Sequence, residues 1–156
     1  MIRAGFTSTS GIFGVKEIKI MNKRTKAIFN ILILDQGNEV PTSLAATLSQ
    51  NSRIQLKHFS EVDAMLDLFK LNYIPNLILL DAGFGGGLVY TIISYIKLRC
   101  TPKPFIVLIE YFGMTPLTFA LIAGCDEVIC KPVHADELLA VLKKVERNHE
   151  SKELEK

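Results

Sequence analysis

The sequence predicts an α/β domain built on a doubly wound, five-stranded parallel sheet with helices on both faces. Two observations support this fold class: short, dense apolar runs alternate with segments whose apolar residues recur at helical spacing, and proline or glycine lies at many joins. Most of the dense runs lack polar alternation, which is typical of strands buried on both faces. The five predicted strands are residues 31–34, 54–59, 77–80, 105–108 and 127–130.

Apolar stripes between these runs predict the helices. Ser60 is a candidate N-cap for a helix that begins at Glu61, and Pro41 can open a helix after the first strand. A strand–helix alternation of this kind requires right-handed crossovers, which cover a parallel sheet with helices on both faces. The stripes are Val62, Met65, Leu66 and Phe69, then Leu88, Val89, Ile92, Ile93 and Ile96, and finally Leu138, Leu139, Val141, Leu142 and Val145.

The composition bounds the class of protein. The chain has 156 residues, of which 49% are hydrophobic and 22% charged, enough for one domain with a sizeable core. Its longest apolar runs are far shorter than the roughly 20 residues that span a bilayer, so we expect no membrane association. Cys100, Cys125 and Cys130 lack metal-type spacing, and an odd cysteine count without a signal-peptide pattern favours reduced, buried thiols in a cytoplasmic protein.

Charge divides the chain into three parts. Residues 1–28 carry six Lys or Arg against one Glu and are rich in Gly, Ser and Thr, which predicts a basic, flexible leader. Such a leader also fits an organelle transit peptide, although Met21 favours a start codon assigned too early. Residues 29–148 form the predicted domain, and residues 149–156 a charged tail. Beyond the leader, twelve basic residues face fifteen acidic ones, which argues against direct nucleic-acid binding.

Charged residues end three of the predicted strands, at the edge where doubly wound sheets place their working sites. Asp35 follows the first strand, Asp81 the third and Lys131 the fifth. Two carboxylates at such an edge can hold Mg²⁺ through their oxygens. A carboxylate beside a metal can attack a phosphoryl donor and become an acyl phosphate. Asp81 is therefore the candidate nucleophile, with the Lys131 ammonium available to neutralise phosphoryl charge.

Four segments in this order resemble the receiver domains of two-component response regulators: Ile-Leu-Ile-Leu-Asp at 31–35, Asn-Leu-Ile-Leu-Leu-Asp at 76–81, Pro-Phe-Ile-Val-Leu at 104–108, and Ala-Gly-Cys-Asp-Glu-Val-Ile-Cys-Lys-Pro at 123–132. The resemblance covers about residues 29–148. It implies a flavodoxin-like receiver fold without enzymatic activity. It also implies that Asp81 accepts the phosphoryl group, that Asp35, Asp81 and the Gly83 backbone bind Mg²⁺, and that Lys131 precedes a cis peptide bond.

This chain departs from the receiver pattern at several positions. Gln36 occupies the place of the second metal-binding acid, so we expect weak Mg²⁺ binding. Ile109 stands where a Thr or Ser hydroxyl usually bonds the phosphoryl group, and Val128 replaces the usual aromatic of the switch. The loop after Asp81 is Ala-Gly-Phe-Gly-Gly-Gly, which lacks the family's Pro and Asp-Gly. The switch positions are therefore degenerate.

Two functions remain open. The first is a single-domain response regulator that accepts a phosphoryl group on Asp81 from a histidine kinase or phosphotransfer protein. Its output would pass to a downstream protein through the face of the fourth helix, fifth strand and fifth helix, with a homodimer as one arrangement. The second is a phosphorylation-independent pseudo-receiver that binds its partner through the same face. An enzyme of flavodoxin-like fold ranks last, because the glycine run fails the dinucleotide spacing.

Overall fold

The structure, a computed structural model, describes residues 28–37, 48, 53–111, 121 and 123–154. Five parallel strands form one sheet in the order β2-β1-β3-β4-β5, which confirms the predicted fold class. The chain leaves β1 on one side to form β2 and returns on the other side to form β3, so strand order reverses between β1 and β3. The strands are β1 (Phe29–Leu34), β2 (Ile54–Phe59), β3 (Leu77–Asp81), β4 (Phe105–Tyr111) and β5 (Glu127–Lys131).

The helical elements differ from the predicted ones mainly at their ends. They are α1 (Val62–Lys70), a 3-10 helix (Phe84–Gly87), α2 (Val89–Arg99) and α3 (Ala135–Leu154). Glu61 is the N-cap of α1 and no side chain caps that helix, so the predicted Ser60 cap was wrong. The boundary predicted at residue 148 falls inside α3. Of the predicted leader 1–28 the structure describes only Ile28, and of the segment in which Pro41 was expected to open a helix it describes only Leu48.

The core consists of one apolar layer on each face of the sheet, as a doubly wound arrangement requires. Alternate strand residues point to opposite faces. One layer packs Ile31, Ile33, Leu79, Val107 and Ile109 against Leu138, Val141, Leu142 and Val145 of α3. The other packs Leu32, Leu34, Leu80 and Leu108 against Met65 and Phe69 of α1 and Ile92, Ile93 and Ile96 of α2.

The edge strand β2 has the predicted bounds, but it is not buried on both faces as the central strand β3 is. Its four central residues are exposed, and Leu56 keeps 36% of its surface accessible. Its sequence, Ile-Gln-Leu-Lys-His-Phe, alternates apolar and polar residues, unlike the continuous apolar run of β3. Alternation marks a strand with a solvated face. Among the described residues, no helix is both long and apolar enough to cross a membrane.

Candidate functional site

Asp81 is the last residue of β3 and lies at the carboxyl edge of the sheet. Its carboxylate is held locally, because Oδ1 accepts the N–H of Gly83 at 2.8 Å. The next residue, Ala82, donates its N–H to the carbonyl of Ile109 on β4 at 2.8 Å, which fixes the end of the strand. Asp81 is only 8% exposed and is one of three buried charged residues among those described. The Asp81 carboxylate is therefore fixed at the sheet edge with little of its surface accessible.

Lys131 ends β5 and reaches across β4 to Asp81. Its Nζ lies 2.5 Å from Asp81 Oδ2, and only 12% of its side chain is exposed. The same Nζ lies 4.9 Å from the centroid of the Tyr111 ring. The Lys131–Pro132 peptide bond is cis, as the resemblance implied. The structure thus brings the predicted nucleophile and the predicted cation into direct contact.

Asp35 follows β1 at the same edge of the sheet. The register pairs Leu34 with Leu80, so Asp35 and Asp81 are the next residues along neighbouring strands. Asp35 Oδ1 accepts the N–H of Gly37 at 2.9 Å, and Asp35 is 4% exposed. Both predicted acids are therefore buried, each forms a turn to the residue two positions later, and they end adjacent strands.

His58 also contacts this region, which the sequence did not reveal. Its Nε2 lies 3.0 Å from the backbone carbonyl of Asp35. His58 is otherwise exposed to solvent. The available signal was the position of His58 in the predicted second strand, since a parallel neighbour of β1 must end beside Asp35.

Three groups at this edge supply oxygens that could hold the Mg²⁺ implied by the resemblance. The oxygens are the carboxylates of Asp35 and Asp81 and the carbonyl of Gly83, which accepts a long 3.3 Å bond from the Gly86 N–H. These are hard oxygen donors of the kind Mg²⁺ prefers. Gln36, however, is exposed and uncharged. Within the described part of the chain, no three His, Cys, Asp or Glu side chains converge to hold a metal ion.

The two switch positions lie beside the site but on opposite faces of the sheet. Ile109 is paired in register with Asp81, is fully buried, and packs in the layer under α3. Val128 packs against the other layer, which includes Leu108. Neither side chain offers a hydroxyl or an aromatic ring. Any response to charge on Asp81 would have to pass through other groups.

Glu110 is a buried charged residue to which the sequence analysis gave no role. It lies on β4 directly after Ile109 and is 4% exposed, and its Oε2 has no hydrogen-bond partner. Its charge helps raise the pKa of Cys125, after the larger effects of burial and of the Asp126 carboxylate. The signal in the sequence was one acidic residue within an otherwise apolar run.

Within the glycine-rich loop after Asp81, Gly85 packs closely against two helices, whereas Gly86 and Gly87 face open space. Gly85 has a φ of +72°, and a Cβ there would lie 2.8 Å from Ile92 Cδ1 and 3.1 Å from Val62 Cγ2. Phe84 is fully buried in the apolar layer that α1 and α2 cover. Glycine at 85 is therefore required both by the backbone conformation and by the close approach of α1 and α2.

Comparison with solved structures agrees with this geometry. A two-component response regulator from Clostridium difficile superposes with a TM-score of 0.65 at 22% identity, over 76% of this chain and 96% of that one. The receiver domain of the TMAO respiratory response regulator TorR gives 0.65 at 20% identity, over 77% and 98%. The chemotaxis response regulator CheY4 of Vibrio cholerae gives 0.63 at 14% identity, over 76% and 99%.

No protein-family model matches the sequence, and no curated protein sequence matches it. The structural likeness therefore defines the fold, which is that of response-regulator receiver domains. Identities of 14–22% support a shared fold and do not assign roles to the individual site residues.

Proposed function

We propose that this protein is a receiver that takes a phosphoryl group on Asp81 from a partner histidine kinase or phosphotransfer protein. The observation that carries the proposal is the buried contact between Asp81 and Lys131 at the carboxyl edge of the sheet, 2.5 Å from oxygen to nitrogen. An Asp carboxylate at this edge supplies the nucleophile, and an adjacent ammonium offsets charge on the incoming group.

In this reaction the Asp81 carboxylate is the nucleophile and the Lys131 ammonium is the nearby positive charge. A carboxylate oxygen of Asp81 forms a bond to phosphorus, and the bond from phosphorus to the donor breaks, releasing histidine or, with acetyl phosphate, acetate. Lys131 then pairs with the phosphoryl oxygens. Mg²⁺, when bound by Asp35, Asp81 and the Gly83 carbonyl, supplies positive charge to those oxygens. Water later hydrolyses the acyl phosphate and regenerates the Asp81 carboxylate.

The second candidate is a phosphorylation-independent interaction module. It is favoured by the burial of Ile109 directly opposite Asp81, because an apolar side chain cannot report phosphorylation through a hydrogen bond. Both candidates place the partner on the face that the sequence predicted, of which the structure describes β5 and α3. They differ in whether partner affinity changes when Asp81 is modified.

Incubation with acetyl phosphate and Mg²⁺, followed by intact-mass analysis, separates the two candidates. The phosphoryl proposal expects one adduct that is lost in Asp81→Asn and retained in Asp67→Asn, a matched change at an exposed carboxylate of α1. Hydroxylamine should release the adduct, since an acyl phosphate reacts with that nucleophile. An unmodified wild-type chain at saturating donor and Mg²⁺ would favour the interaction module.

A further inference from the structure

Tyr111 is an exposed aromatic residue that contacts the site lysine. It ends β4 and is the register partner of Lys131 on β5. Side chains of paired residues on neighbouring strands point to the same face. The Lys131 Nζ lies 4.9 Å from the ring centroid, within the range of about 6 Å in which an ammonium is attracted to an aromatic face. Tyr111 as a whole residue keeps 63% of its surface exposed.

The contact matters because a lysine ammonium is mobile by nature. Its charge sits on a flexible four-carbon stem, and fixing that stem in one geometry costs conformational entropy. At this site the Asp81 carboxylate holds the ammonium on one side and the Tyr111 ring holds it on another. The neighbouring positions Ile109 and Val128 provide only apolar surface. The Tyr111 ring therefore contacts the same lysine that pairs with Asp81, the candidate nucleophile.

We propose that Tyr111 is a positioning residue, whose ring holds the Lys131 ammonium against Asp81 so that an incoming phosphoryl group meets a charge already in place. The geometric part of this inference rests on the contact alone. The kinetic part rests on the proposed function. Because Tyr111 is exposed, replacing it should leave the packed core intact. Any change in rate can then be attributed to the lost contact with Lys131.

The kinetic test compares Tyr111→Leu with the conservative Tyr111→Phe. We expect Tyr111→Leu to slow adduct formation from acetyl phosphate about two- to fivefold, the factor that corresponds to an exposed cation–π contact. Tyr111→Phe keeps the ring and should keep the rate. Tyr90→Leu, a change at another exposed tyrosine, is the control and should leave the rate unchanged. Equal slowing in Tyr111→Phe and Tyr111→Leu would overturn the assignment to the ring face.

A second measurement does not depend on phosphorylation. In protein labelled with ¹³C-lysine, the ε-methylene signal of Lys131, assigned by its loss in Lys131→Met, should be shifted upfield by the ring. The shift should persist in Tyr111→Phe and vanish in Tyr111→Leu. An unchanged signal in Tyr111→Leu would overturn the inference. If the wild type takes no phosphoryl group, the proposed function fails, while this signal still determines whether Tyr111 holds Lys131.

Discussion

Two lysine–aspartate ion pairs lie at opposite ends of the sheet. At the amino end, Lys97 Nζ lies 3.3 Å from Asp126 Oδ2, and both partners are tied to the main chain around the start of β4. Asp126 Oδ2 also accepts the N–H of Ile106 at 2.8 Å, and Lys97 donates to the carbonyl of Pro104 at 3.1 Å. This pair therefore holds β4, β5 and α2 together.

The pair at the carboxyl end has the same chemistry but different surroundings. Lys131 joins the Asp81 carboxylate to the Tyr111 ring, so its contacts run from side chain to side chain at the sheet edge. An ion pair whose atoms also bond the backbone of several elements stabilises the framework. Under the proposed function, the charges of the Lys131 pair act on the phosphoryl group at the sheet edge.

The largest expected effect comes from removing each lysine separately. Lys131→Met should slow adduct formation on Asp81 on the order of 100-fold, as loss of one preorganised charge commonly does. Lys97→Met should leave that rate unchanged and lower the free energy of unfolding by about 1 kcal/mol, because it removes one partly exposed ion pair and one hydrogen bond. Intact-mass kinetics and urea unfolding measure the two effects.

The distinction between the two ion pairs would be wrong if the two variants had the same phosphorylation rate. A Lys97→Met chain that is fully folded yet loses phosphorylation would mean that the amino-end pair acts on the site. A Lys131→Met chain that phosphorylates at the wild-type rate would remove Lys131 from the reaction. Asp126→Asn, which keeps the hydrogen bond to Ile106, tests whether charge or hydrogen bonding dominates at the amino end.

The second prediction concerns alkaline pH at the amino end. Burial, with the Asp126 charge, raises the pKa of Cys125 from its ordinary 9.0 to about 11. Between these values the folded chain binds more protons than the unfolded chain, so the stabilisation is complete below pH 9 and is lost as the pH rises toward 11. The loss should amount to about 2–3 kcal/mol. Burial also raises the pKa of Cys100 and of Tyr73, which adds to the same trend.

Urea unfolding at several pH values measures this trend. Cys125→Ala should flatten the alkaline decline, although it also lowers stability at neutral pH by leaving a small cavity. Cys130→Ala is the matched control, at a half-buried cysteine near the opposite edge. An identical alkaline decline in Cys125→Ala and wild type would assign the effect to other groups.

The sequence predicted the central strands well because continuous apolar runs of this length are stable when both faces of the strand are buried. It also predicted the bounds of β2, where Gln55 and Lys57 alternate with apolar residues, as in a strand with one solvated face. Asp81 and Lys131 were predicted by position at strand ends, and their contact follows from parallel strands that finish at one edge. The His58 contact follows from its position in the second strand only once β2 is known to be the neighbour of β1, and strand order is not specified by a local pattern.

The third prediction tests the apolar side of the carboxyl edge. Ile109 is fully buried opposite Asp81, so Ile109→Thr should cost about 1–2 kcal/mol by replacing packed apolar surface with a hydroxyl. Ile109→Val is the control and should cost less, since it adds no polar atom. If the hydroxyl of Ile109→Thr reaches the phosphoryl group, acetyl phosphate with Mg²⁺ should stabilise this variant more than wild type. Equal stabilisation of all three chains would show that position 109 does not sense the modification.

The smallest expected effect concerns the metal. Gln36 follows Asp35 at the carboxyl edge and is exposed, so Gln36→Asp adds a carboxylate oxygen there without disturbing the core. Because affinity for hard cations rises with the number of charged oxygen ligands, we expect Mg²⁺ to bind about three- to tenfold more tightly. The measurement is the Mg²⁺ concentration that gives half-maximal phosphorylation, supported by Mn²⁺ broadening of the Gly83 amide signal.

Gln55→Asp adds the same charge at an exposed position of β2 and controls for general electrostatics. Equal tightening in both variants would mean that Gln36 does not face the ion, and no tightening in either would place the metal away from Asp35.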